Sequence, residues 1–177
     1  MLQNLKFLLA AIVAVGLTSC STSRLERCPP ASVLVDTGTM AVFRSGSTPD
    51  PANVLYTVQI AGAQQDCELP KFGSRVVTAS VDIDFRARRS SGSEAVSHVI
   101  PYFVAITSEG KILAKREFTV QFTFDAGQQV ATFSDSVNSL AVSLGRDKKP
   151  TDYGILVGFQ LTKAQLDYNR RAGRYAQ

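Results

Sequence analysis

Between Arg75 and Arg89 apolar and polar side chains alternate almost without a break. Val77, Ala79, Val81, Ile83, Phe85 and Ala87 share one parity, and Thr78, Ser80, Asp82, Asp84, Arg86 and Arg88 share the other. A period of two sends successive side chains to opposite faces, so this stretch predicts an antiparallel strand with one dry and one wet face. Asn53 to Ala61 has the same rhythm in Val54, Tyr56, Val58 and Ile60, with Leu55 out of phase. Ile112 to Phe124 carries it in Phe118, Val120, Phe122 and Phe124, while Arg116 breaks the apolar phase and predicts a bulge there. Tyr153 to Leu161 repeats it in Ile155, Val157, Phe159 and Leu161. His98 to Thr107 is apolar in both parities, which predicts cover on both faces. Pro101 inside it cannot donate to a ladder and marks a bulge or an edge-facing position.

Shorter β-prone runs occupy Ser32 to Asp36, Thr39 to Arg44 and Gln129 to Phe133. Residues 136–144 (SVNSLAVSL) are ambiguous and read as a helical turn. Loops are predicted at 44–53, 88–94, 108–111 and 145–152 from their Gly, Pro, Ser, Asp and Asn. Short polar turns join the strands between 75 and 124, so the economical topology there is a meander. Thr162 and Gln165 stand at capping-box spacing and open a short helix running to about Arg171. The pattern predicts an all-β fold, an antiparallel two-sheet sandwich of immunoglobulin-like or fibronectin-III-like look with a short C-terminal helix. A small closed β-barrel is the alternative.

The N-terminus follows a different pattern. Phe7 to Leu17 is uninterrupted apolar or glycine behind a single cation, Lys6. A membrane-crossing helix needs about 20 such residues, whereas the apolar region of a secretory signal takes about 7–15. The run ends in Leu17-Thr18-Ser19-Cys20, which resembles the lipobox of bacterial lipoproteins. The resemblance implies cleavage before Cys20 and lipidation of its thiol, with several acyl chains then holding the chain on a bilayer. Ser21 stands where an aspartate would favour the inner membrane in enteric bacteria, so the resemblance implies the periplasmic face of the outer membrane. It divides the chain into a signal peptide (1–19), a lipidated tether (20–30) and a single domain (31–177).

Loss of Lys6 with the signal lowers the net charge from +4 to +3. That mild, dispersed excess excludes nucleic acid as the expected partner. With Cys20 assigned to lipid, Cys28 and Cys67 form an even pair in an oxidising compartment, and a disulfide is expected. Two free buried thiols or a metal pair are the alternatives.

Candidate chemistry is sparse. His98 is the one imidazole in the chain, and it sits at a strand start beside Ser97 without a nucleophile elbow. The expectation is a strand-end histidine with a solvent or backbone partner. Asp82 and Asp84 leave the same face of a strand, as paired carboxylates for hydrolysis or a hard cation would. Arg86 and Arg88 continue that row, which favours cross-strand ion pairs instead. Tyr168, Arg170, Arg171 and Arg174 form a basic, aromatic C-terminal segment that suits contact with a partner. The function expected is a non-catalytic interaction or assembly module of an envelope complex, bound to the membrane by lipid and to another envelope protein by its surface. A carrier with an apolar cavity is the first rival, and a hydrolase using Asp82, Asp84 or Glu117 the second. No cofactor or metal is expected.

Overall fold

A computed structural model describes residues 28–92 and 94–175, with 173–175 as helix backbone only. Cys20, the signal region and most of the tether lie outside the described residues. The strands are β1 (Ala31–Val33), β2 (Thr39–Phe43), β3 (Val54–Glu68), β4 (Val76–Arg89), β5 (Val96–Ser108), β6 (Lys111–Phe124), β7 (Val130–Ser143) and β8 (Tyr153–Phe159), and helix α1 spans Lys163–Tyr175. They form two packed four-stranded sheets, ordered β1-β8-β5-β6 and β2-β3-β4-β7. The sheets do not close into a barrel. This is the expected sandwich, though its four-on-four order differs from the ABED and CFG sheets of immunoglobulin constant domains.

The alternating parities become the interior. Val77, Ala79, Val81, Ile83, Phe85 and Ala87 are all buried, as are Ile100, Tyr102, Val104 and Ile106 from the facing sheet. Phe85 joins the sheets, with Tyr102 and Phe159 across the gap at 5.6 and 5.9 Å and Phe133 stacked beside it at 5.1 Å. One polar contact also crosses. The Tyr102 hydroxyl donates to Asp135 Oδ2 at 2.7 Å, and burial together with this bond pushes the phenol's pKa well above its ordinary value.

Four expectations need correction. The run from 75 to 124 is not a meander, because β4 pairs with β3 and β7 while β5 lies in the other sheet between β6 and β8. The loop after Arg89 crosses between layers, and a polar loop reads alike whether it closes a hairpin or bridges sheets. The predicted strand at 129–133 and helical turn at 136–144 are instead one strand, β7 (Val130–Ser143). Its pairing shifts between Ala79 and Val81, where Asn138 and Ser139 together oppose Ser80, and Ser139 takes φ 59°. That bulge turns the inward spacing from two to three (Val137, then Leu140), which imitates helical spacing in the sequence. The bulge on β6 sits at Leu113, between the pairs Ile106–Ala114 and Thr107–Ile112, and not at Arg116. Finally, the β-prone run Ser32 to Asp36 is split between the three-residue strand Ala31–Val33 and a 3-10 turn at Val35–Thr37.

Pro101 occupies the central strand β5 without breaking it. Its carbonyl accepts from Gln160 N at 3.1 Å. In an antiparallel strand the N and C=O of one residue face the same neighbour. The missing donor therefore points toward the end of β8, past its last paired residue Phe159. The outer side of β5 is only partly covered: Phe103 and Ala105 are buried, whereas Val99 is 61% exposed.

Candidate functional site

At the N-terminal boundary, Cys28 and Cys67 form a disulfide with Cα atoms 5.8 Å apart. It ties the chain's entry into the sandwich to the far end of β3. Cys28 and Pro29 are buried, and the Pro30 carbonyl accepts from Ile155 N at 2.8 Å.

The C-terminal helix closes one flank. Thr162 and Gln165 form the predicted capping box, with Thr162 N donating to Gln165 Oε1 and Gln165 N to Thr162 Oγ1. One turn apart on α1, Gln165 Nε2 donates to the Ala41 carbonyl at 2.8 Å and Asn169 Nδ2 to the Thr39 carbonyl at 2.6 Å. Gly38 O accepts from Ile60 N in β3, so the alternate residues Thr39 and Ala41 point their backbone groups away from β3, along the free edge of β2. The helix thus supplies side-chain amides where a further strand would supply its own. Tyr168 stands edge-on to Phe43 at 5.1 Å, and Arg170 pairs with Asp36 at 3.0 Å. Of the predicted contact residues, Tyr168 and Arg170 are therefore engaged within the chain, Arg171 is exposed, and the Arg174 side chain lies outside the described residues. The spacing of Gln165 and Asn169 was visible in the sequence; the strand edge they meet was not.

His98 lies in a ring cluster at the opposite end of the sandwich from the disulfide. Its ring is 4.2 Å from Tyr56 of the facing sheet and 5.4 and 6.0 Å from Phe122 and Phe124. Burial first, and the Arg89 guanidinium second, lower the imidazole's pKa from its ordinary value. The neighbouring Ser97 hydroxyl is paired with that of Thr123 at 2.7 Å. The half-buried His98 ring thus packs among aromatic side chains in addition to any solvent partner.

Asp82 and Asp84 share the outer face of β4, as their parity predicted. Asp82 Oδ1 accepts from Ser136 Oγ at 2.6 Å. Glu117 is on the outer face of the other sheet, 3.3 Å from Lys115 Nζ, so the whole core separates it from the two aspartates. Among the described residues no three His, Cys, Asp or Glu side chains converge on a point that a metal could occupy. A groove of about 600 Å³ runs beside the His98 end, lined by Arg44, Leu55, Tyr56, Arg88, Arg89 and Gln129 among others, with no carboxylate or imidazole in its wall. Arg89 there is a clamp: it donates to the carbonyls of Gln128 and Asp125 at 2.7 and 2.9 Å and covers the Phe124 ring at 4.7 Å.

At the far side of the other sheet, β6 is the edge strand, and Lys111 to Glu117 are exposed on both of its faces. Ile112 and Leu113 are 63% and 56% exposed there. Lys115 lies across the outer sheet, with Nζ 4.7 Å above the Phe103 ring and 2.8 Å from Gln160 Oε1.

No helix among the described residues is long and apolar enough to cross a membrane. Set against known protein families, characterised proteins and solved structures, the chain matches none of them.

Proposed function

We propose that this chain is a lipid-anchored protein on the periplasmic face of the outer membrane, and that its sandwich is a non-catalytic contact module for another envelope protein. The observation that carries the reading is the exposed half of β6, where Ile112 and Leu113 stand in solvent on a sheet edge. Edge strands present unpaired backbone donors and acceptors, and proteins use them to add a strand from a partner. The bulge at Leu113 and the cations Lys111, Lys115 and Arg116 discourage indiscriminate pairing while leaving room for a partner of matched shape and charge. The lipid anchor is supported by the Leu17 to Cys20 motif, and the oxidised Cys28–Cys67 pair fits a compartment outside the cytosol.

A photo-reactive residue placed at Leu113, Thr119 or Tyr168 in intact cells tests the reading. The expected result is a discrete protein adduct from the two β6 positions. Lipid adducts alone, or none from well-expressed protein, overturn it.

A further inference from the structure

The end of the sandwich that holds the disulfide also carries the most exposed apolar side chain described. Phe72 is 110% exposed relative to a reference chain, at the tip of the β3–β4 hairpin, between the partly exposed Leu69 and Val76. The tip is a built turn: Ser74 N donates to the Lys71 carbonyl at 2.8 Å and Gly73 takes φ 82°. The Arg75 guanidinium donates to the Leu144 and Gly145 carbonyls and holds the hairpin's base against the loop before β8. Segments 67–76, 108–111 and 143–153 all gather at this end, and between them they carry six cations against four carboxylates.

The same end receives the tether. Cys67 stands five residues before Phe72, and its bond to Cys28 fixes there the point at which the chain enters the domain. Cys20 precedes Cys28 by eight residues, a reach of at most about 29 Å when fully extended. We infer that this end docks on the bilayer that holds the anchor, with Phe72 set among the lipid headgroups. The inference rests on the lipid-anchor reading above. An apolar ring exposed to water gains by burial at the boundary between headgroups and acyl chains, and a small cationic excess around it is drawn to anionic lipid. Docking by this end makes β6 run outward from the membrane, with its exposed half Lys111–Glu117 nearer the bilayer and the His98 end farthest out.

The chain contains no tryptophan, so one introduced indole is the sole reporter. Phe72→Trp is compared with Val99→Trp, which lies nine residues up β5 from Ser108, roughly 30 Å from the docked end at about 3.4 Å per residue. Each full-length variant is purified in its processed form and reconstituted into phosphatidylethanolamine–phosphatidylglycerol vesicles carrying brominated acyl chains. The expected result is flotation of both variants, with blue-shifted and strongly quenched emission from the Phe72→Trp protein and unquenched emission from the Val99→Trp protein. Equal emission from the two in floating protein, whether quenched or not, overturns the docking and leaves the anchor standing. Failure to float, with an intact mass that lacks the acyl increment, overturns the anchor and the docking with it.

Discussion

The two sheets each end in a strand that needs protection, and the molecule treats them differently. On β2 the free carbonyls of Thr39 and Ala41 accept from Asn169 and Gln165, and Tyr168 packs on Phe43. On β6 the stretch from Lys111 to Glu117 has no element over it among those described, and two large apolar side chains stand in water. The contrast separates an edge that the chain closes with its own helix from one that it leaves open. A helix one turn of whose polar face matches the two-residue repeat of a strand edge satisfies the backbone there and blocks strand addition. A bulge and a few lysines do less: they restrict the partner without occupying its place.

The harshest test of this comparison is to weaken the sandwich away from both edges. Replacing Cys28 and Cys67 by serine removes a link closing a loop of 39 residues, and should cost about 4 kcal/mol by the chain-entropy argument. Chemical denaturation measures it, and adduct formation at β6 should persist wherever the variant stays folded. Removing the edge cover itself comes next. The double variant Gln165→Ala and Asn169→Ala deletes hydrogen bonds to Thr39, Ala41 and Asp36 and should cost about 3 kcal/mol at about 1 kcal/mol per bond lost. Amide exchange along β2 should accelerate in it, and unchanged protection would mean that the helix does not guard the edge. The open side should behave in the opposite sense. Leu113→Asp touches an exposed position, so stability should move by no more than about 0.5 kcal/mol while partner adducts from Thr119 disappear.

The smallest expected effect is the pH response of the buried half of β6, which packs Phe122 and Phe124 around His98. The imidazole's pKa is lowered in the folded state, so the unfolded chain binds the proton more readily. Stability is then full above the ordinary histidine pKa of about 6.5 and falls as the pH drops through that value toward the lowered one. Melting curves at about pH 7.5 and about pH 5 should differ more for the native chain than for His98→Phe.

Much of this architecture was legible because burial in a sheet imposes a period of two. The parity of β4 survived intact, and the capping pair Thr162 and Gln165 announced α1 through a local exchange of hydrogen bonds. The helix's far partners were hidden. Asp135 shares the inward parity of Ala131, Phe133 and Val137, but only packing brings Tyr102 from the other sheet to meet it. Bulges hid more: the one extra residue at 138–139 shifted the phase of β7, and β3 runs on past Ala61 through a second shift near Gly62.

By itself, then, the sequence determined the local rules: which residues face inward, where the chain caps and turns, and the motif that points to an anchor at Cys20. Tertiary structure decided what those rules leave free. It assigned β4 and β5 to different sheets, laid α1 on the edge of β2, and left β6 and the Phe72 hairpin facing outward, whereas the Cys28–Cys67 disulfide was already expected from the cysteine count. The physical reason is that alternation and capping are set by neighbours a few residues away. Sheet order and edge cover depend on which distant surfaces exclude water best together, and no local pattern records that competition.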